Sequence, residues 1–297
     1  SKGQDEDGAN PKAFKRIMII TGVICLLIAP ENLSTAALLF GVVFLMMFIG
    51  RVSAKRLLML IGSLASVGIV AVTFLLMTKN SDIPFLHRFD TWRARIEKFT
   101  SDEVVPAAKF DIDKDSQIAH ARIAVATSNV IGKGPGNSVQ RDFLSQAFSD
   151  FIFAIIVEEL GLIGGAFVVF LYVCLLIRVG RIAKKCDRTF PAFLIIGIAL
   201  LLVSQAVFNM MVAVGLAPVT GQPLPLISKG GTSTLINCAY IGMILSVSRY
   251  TAKLEEIKEH DAQIPMQVEA AVEEGNSEIQ TAAEPTAKVL NSDAEFE

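Results

Sequence analysis

The chain has 297 residues and a mass of 32.1 kDa, with 27 Lys and Arg against 29 Asp and Glu and a formal net charge of −2. Apolar residues make up 52%, charged residues 19%, and the mean hydropathy of +0.52 lies above the range of soluble domains. Charge is nearly absent from 14–77 and 151–248 and concentrated in 78–149 and 251–297; this excludes an ordinary soluble domain and points to an integral membrane protein, while the near-neutral total excludes a nucleic-acid binder.

The chain opens on Ser1 and a polar dozen residues with no signal-peptide pattern, and an upstream part is expected. Six apolar segments follow: Ile17–Ala29, lengthened by snorkelling Lys15 and Arg16; Leu33–Ile49, joined to the first through Pro30–Asn32 as an antiparallel hairpin; Leu57–Met77; Phe151–Ile177; Ala192–Gly215; and Thr232–Val247. Backbone polar groups in lipid must be satisfied internally, so each segment is predicted helical. Basic clusters at Lys12/Lys15/Arg16, Arg51/Lys55/Arg56, Arg178–Arg188 and Arg249/Lys253 all fall on one side of a six-span path. The positive-inside rule makes that side cytoplasmic and the stretches 78–149 and 216–231 extracytoplasmic. The expectation is an all-α polytopic membrane protein with six transmembrane helices and one large, partly helical outer loop. Residues 1–250 form the membrane domain, and 251–297, acidic and without aliphatic periodicity, a disordered cytoplasmic tail.

Cys25, Cys174 and Cys238 lie in apolar runs and Cys186 in a basic loop; they read as small buried hydrophobes. His87, His120 and His260 are far apart in sequence, so a zinc site is not expected.

The outer loop is too long to be structureless within a compact protein. Short helices are predicted at Asp90–Phe99 and Gln117–Ser128, and Arg93, Arg95 and Lys98 on the first are either phosphate contacts or a solvated face. In Gly132-Lys133-Gly134-Pro135-Gly136-Asn137-Ser138 the alternate glycines permit either a plain turn or a backbone that aims N–H groups at an anion. Asp150, at the edge of the fourth span, is either a helix cap or a base at the mouth of a cavity. Glu158 and Glu159 lie about 12 Å deeper along a continuous helix, where ionisable groups are costly and functional by default unless the helix starts late. Lys229, before Gly230-Gly231 at the outer start of the last span, is either an anion-binding cation or a snorkelling lysine.

The segments GKGPGNSVQR (132–141), SDFIFAIIVEELGLIG (149–164) and PLPLISKGGTSTL (223–235) together resemble the signature segments of the SEDS family (shape, elongation, division and sporulation). The resemblance covers about residues 11–250, the C-terminal six of about ten family spans. It implies a peptidoglycan glycosyltransferase that polymerises lipid II, the undecaprenyl-diphosphate-linked disaccharide-pentapeptide, at the outer face of the bacterial cytoplasmic membrane. It also implies work at the division septum with a class B penicillin-binding transpeptidase and other division proteins. Asp150 matches the family's essential aspartate, Glu158-Glu159 its paired glutamates, and Ser138 and Gln140 its GNSVQ segment. The chain departs from the pattern at Gln146, Phe148 and Ser149, where the family has an acidic residue, a histidine and a threonine; at Lys229, where it has a tyrosine; and at Glu31 or Asn32, where it has an aspartate.

On this reading Asp150 takes the proton from the acceptor 4-hydroxyl. Arg93, Arg95, Lys133, Arg141 and Lys229 are the candidates to steady the departing diphosphate. Ser138, Gln140, Glu158 and Glu159 complete the candidate substrate contacts. No cofactor is evident and no metal ligand set is assigned; a divalent cation is an unproven assistant. The alternatives are a flippase for the same lipid using Glu158 and Glu159, an elongation-type polymerase, and a scaffold for division proteins.

Overall fold

The computed structural model describes residues 4–5, 8–9, 11–77, 112–144 and 147–293. Apart from two short paired strands, β1 (Gln4–Asp5) and β2 (Gly8–Ala9), the described regular structure is helical. In chain order the α-helices are α1 (Pro11–Ile28), α2 (Leu33–Ile49), α3 (Ala54–Met77), α4 (Ile112–Thr127), α5 (Ile152–Lys185), α6 (Thr189–Ala213) and α7 (Gly231–Asp293), with a 3-10 turn at Gln140–Phe143 before α5. All six apolar segments fall on helices. Three described helices are long and apolar enough to cross a membrane: Ile152–Lys185, Thr189–Ala213 and Gly231–His260. Helix α2 is as apolar but shorter, and α1 carries Lys12, Lys15 and Arg16 in its first turns. The predicted helix at Gln117–Ser128 appears as α4; that at Asp90–Phe99 lies outside the described residues.

The α1–α2 hairpin forms as the short polar link predicts. Asn32 takes the N-cap position of α2 in extended conformation, and its side chain accepts the Thr35 N–H at 3.1 Å. A capping Asn satisfies one of the orphan N–H groups that a helix start leaves, which gives this residue a structural task at the position where the signature departs.

Helices α2 and α6 lie side by side and antiparallel. At one end Gln222, in the α6–α7 connection, donates to Thr35 Oγ1 at 2.7 Å; at the other the Phe193 ring packs by Gly50. The α1–α2 turn and the α6–α7 connection therefore share one end of the bundle.

The main core joins α4, α5 and α6 through Ala121 and Ala124, Phe153, Ala154 and Val157, and Ala206, Met210 and Ala213. Small side chains at these contacts let helix backbones approach where lipid offers no hydrophobic driving force. Leu144, Ala147, Phe151 and Leu224 close the same core next to Asp150. Of the cysteines, Cys25, Cys174 and Cys186 are half-buried and Cys238 is exposed; none is in a disulfide.

The chain divides into two compact units, Ser1–Ile244 and Leu245–Glu297. Helix α7 is bounded by Gly231 and Asp293.

Candidate active site

Asp150 stands in the turn that leads into α5. Its backbone is held by a ladder of donors from two other parts of the chain. Three successive carbonyl oxygens, those of Phe148, Ser149 and Asp150, accept hydrogen bonds from the Lys229 N–H (2.8 Å), the Ser228 hydroxyl (2.6 Å) and the Asn209 side-chain amide (2.7 Å). Ser228 also accepts the Leu224 N–H at 2.7 Å, and Asn209 donates its second amide hydrogen to the Gln222 carbonyl at 2.7 Å. The stretch 220–229 is thereby tied to the Asp150 turn directly at Ser228 and Lys229 and, through Asn209, at Gln222.

The Asp150 carboxylate remains half-exposed. Oδ1 accepts the Ser149 hydroxyl at 2.9 Å, and a Cβ at Gly221 (φ 68°) would stand 3.5 Å from Oδ2. The N-cap position of α5 belongs to Phe151, with no side-chain capping bond. The capping alternative for Asp150 therefore has no hydrogen bond behind it, and the side chain stays partly open to the surroundings.

A second cluster lies at the far end of the first α5 segment, roughly 12 Å from Asp150 at helical rise. Here the continuous helix expected from the sequence is broken: Gly161 adopts φ 72° and ψ −172°. A break of this kind frees carbonyls before it and N–H groups after it, and in lipid such groups must find protein partners. The glycine-rich loop supplies them. Lys133 N–H donates to the Glu158 carbonyl (3.0 Å) and Gly134 N–H to that of Glu159 (2.9 Å), while Leu162 and Ile163 N–H donate to the carbonyls of Asn129 and Val130 (both 3.3 Å).

The side chain of Glu158, with no exposed surface, completes the junction. Its carboxylate accepts from Lys133 Nζ (2.5 Å), Ser138 Oγ (2.5 Å), Val139 N–H (3.3 Å) and Gln140 N–H (3.3 Å). A buried carboxylate is tolerated when its charge is paired and its lone pairs are filled, and both conditions hold here.

The structure thus sorts the candidates differently from the sequence. Glu158, Lys133 and Ser138 come together with one another, so the loop glycines serve neither a plain turn nor an open anion cradle but a fitted plug. Lys133, considered for the diphosphate, is the ion-pair partner of Glu158. Gln140 meets His120 Nδ1 at 2.6 Å, and His120 stacks on Phe143 with centroids 5.0 Å apart. Arg141 approaches Asp142 at 3.5 Å on the surface, and Glu159 is half-buried with its carbonyl in the plug. Lys229 is exposed beside the Asp150 turn, tied to it only through its backbone. Arg93 and Arg95 lie outside the described residues. Among the described residues no group of three or more His, Cys, Asp or Glu side chains marks a seat for a divalent ion.

Asn209 and Ser228 escaped the sequence reading. A polar amide inside the apolar run of α6 is the signal that was available for Asn209, because such a group in a span needs partners. Nothing in the local pattern distinguishes Ser228 from the turn residues around it.

Residues 2–253 match the family described as "Cell cycle protein", whose members are FtsW, RodA and SpoVE. A probable peptidoglycan glycosyltransferase FtsW of Thioalkalivibrio sulfidiphilus is 32% identical over 245 residues, which is 81% of this chain and 56% of the relative. A protein of the same description from Halomonas elongata is 44% identical over 135 residues, 44% of this chain and 34% of its own length. The chain spans about half the length, or less, of these curated relatives. In a solved structure described as "Structural coordination of polymerization and crosslinking by a peptidoglycan synthase complex", one chain superposes with a TM-score of 0.59 at 24% identity, covering 80% of this chain and 62% of that one. At that identity the likeness shows the fold alone.

Proposed function

The chain belongs to the cell cycle protein family of FtsW, RodA and SpoVE, and from that premise we propose that it is the C-terminal membrane part of a peptidoglycan glycosyltransferase of the FtsW type. It polymerises lipid II at the outer face of the cytoplasmic membrane during division, alongside a class B transpeptidase. The observation that carries the reading is Asp150: a half-exposed carboxylate whose backbone is held by donors at Asn209, Ser228 and Lys229. A general base needs that combination of fixed position and open access.

Asp150 accepts the proton of the acceptor's 4-hydroxyl as its oxygen attacks the anomeric carbon of the donor. The bond from that carbon to the lipid diphosphate breaks, and the diphosphate leaves without needing a proton. Of the candidate cations that the structure describes, Lys229 is exposed and Arg141 half-exposed, and these two are assigned to the diphosphate. The test is the full-length protein that contains this chain, in lipid nanodiscs with fluorescent lipid II. Glycan ladders support the reading, and unreacted lipid II in the presence of the transpeptidase refutes it. Of the two glutamates that the flippase alternative uses, Glu158 is fully buried and bonded on both oxygens, and Glu159 is half-buried.

Lys229→Ala is expected to raise the lipid II KM about tenfold, the size of one charge-assisted contact, with kcat little changed. Lys229→Arg keeps most of the affinity, and an unchanged KM in Lys229→Met would return the residue to a snorkelling role.

The six-span path with both chain ends cytoplasmic is part of the same proposal, supported by the basic clusters and by the shared end of the α1–α2 turn and the α6–α7 connection. A cysteine introduced at Ser101 reacts with an impermeant reagent from outside, and one at Ser277 does not. The reverse pattern overturns the orientation.

A further inference from the structure

The geometry points to Asn209 as the positioning residue for Asp150, acting through the main chain and setting the rate of transfer without touching substrate. The inference rests on the role proposed for Asp150. Asn209 is 1% exposed, on the inner side of α6 near its C-terminal end. Both of its amide hydrogens are used at 2.7 Å, one on the Asp150 carbonyl and one on the Gln222 carbonyl. Because both partners are carbonyl oxygens, the amide can face only one way: turned over, it would set oxygen against oxygen.

The two carbonyls need this amide. Asp150 precedes the helix, whose first turn is closed by the Phe151 carbonyl accepting from Ala154 and Ile155 N–H. Gln222 belongs to the irregular stretch between α6 and α7. Neither carbonyl has a ladder of its own, and a single rigid side chain from a third element holds both. Gly221, next to Gln222, is the backbone that comes close to Asp150 Oδ2. Asn209 thus ties the turn that carries the carboxylate to the stretch whose Gly221 faces it.

Ser228 and Lys229 hold the preceding two carbonyls, so the turn has other anchors when Asn209 is lost. The expected defect is therefore a displaced base in a folded protein. A displacement on the order of 1 Å can cost about 10²-fold in rate.

The experiment is steady-state polymerisation of lipid II in nanodiscs by the full-length protein that contains this chain. Asn209→Leu is expected to lower kcat about 10²-fold with KM within about twofold of wild type. In an Asp150→Glu background, where the carboxylate already stands one methylene out of place, the same change is expected to cost less than about threefold, because residues acting as one unit are not additive. Should Asn209→Leu fail to give folded protein, Asn209→Ser, with one donor hydrogen in place of two, is read by the same criteria. A rise in KM at unchanged kcat, a full multiplicative loss in the Asp150→Glu background, or wild-type activity overturns the inference. These outcomes need an active wild type. An inactive wild type fails the polymerase reading itself, and the role of Asn209 falls with it.

Discussion

Asp150→Asn is expected to abolish glycan polymerisation while leaving the protein folded. The substitution keeps the shape of the side chain and leaves untouched the bond from Asn209, which goes to the main-chain carbonyl. The Ser149 hydroxyl still finds an acceptor. What is lost is the ability to take a proton, and general-base help is worth about 10²–10⁴ in rate, or roughly 3–5 kcal/mol of barrier. Asp150→Ala is expected to be equally inactive. A capping residue would order the variants differently, since Asn caps well and Ala poorly, but Phe151 holds the cap position. The check is polymer formation from fluorescent lipid II with thermal midpoints measured on the same preparations. Wild-type ladders from Asp150→Asn would remove the base from the mechanism.

Gly161→Ala, by contrast, is expected to prevent folding of the membrane unit. Gly161 has φ 72° and ψ −172°, a conformation that is essentially restricted to glycine and costs other residues about 1–3 kcal/mol. Space is the larger obstacle. A methyl group there would overlap the Val130 carbonyl and the backbone of Gly132, neither of which is a flexible side-chain tip. Relieving the overlap means pulling the loop from the helix break and losing the four backbone bonds that close it. At about 0.5–1.5 kcal/mol each, more where lipid replaces water, the total reaches about 4 kcal/mol or beyond. Gly136→Ala is the control: its φ is also positive, at 82°, but nothing lies within 4 Å of the added carbon. Thermal unfolding in nanodiscs should show a small shift for Gly136→Ala and little or no folded protein for Gly161→Ala. Similar behaviour of the two would mean that the plug is not what holds the break.

The paired glutamates show how the membrane setting changes the meaning of a motif. Read along a straight helix, they are two charges in lipid and hence functional candidates. In the structure the helix stops at Gly161. Glu158 then sits where a loop of glycines can bring four donors to it, and its charge is spent on assembly. Gly132 and Gly161 both have positive φ, and each occupies the space that the other's side chain would need. Two glycines 29 positions apart in sequence meet at one crossing, a constraint that local spacing cannot express.

Much of the protein was legible in one dimension. Membrane insertion follows from apolar runs and the placement of charge, since both depend on composition over lengths of about 20 residues. The α1–α2 hairpin follows from a polar link too short for any other path, and the place of Asp150 just before the fourth apolar segment follows from the meeting of a polar loop and an apolar run. The tertiary structure decided which groups meet. It gave Lys133 to Glu158, left Lys229 exposed beside Asp150, and revealed Asn209 and Ser228 as the residues that hold the turn. Hydrogen bonds reach about 3 Å, so their partners are fixed by the packing of α4, α5 and α6, and that packing brings Asn209 to a carbonyl 59 residues away.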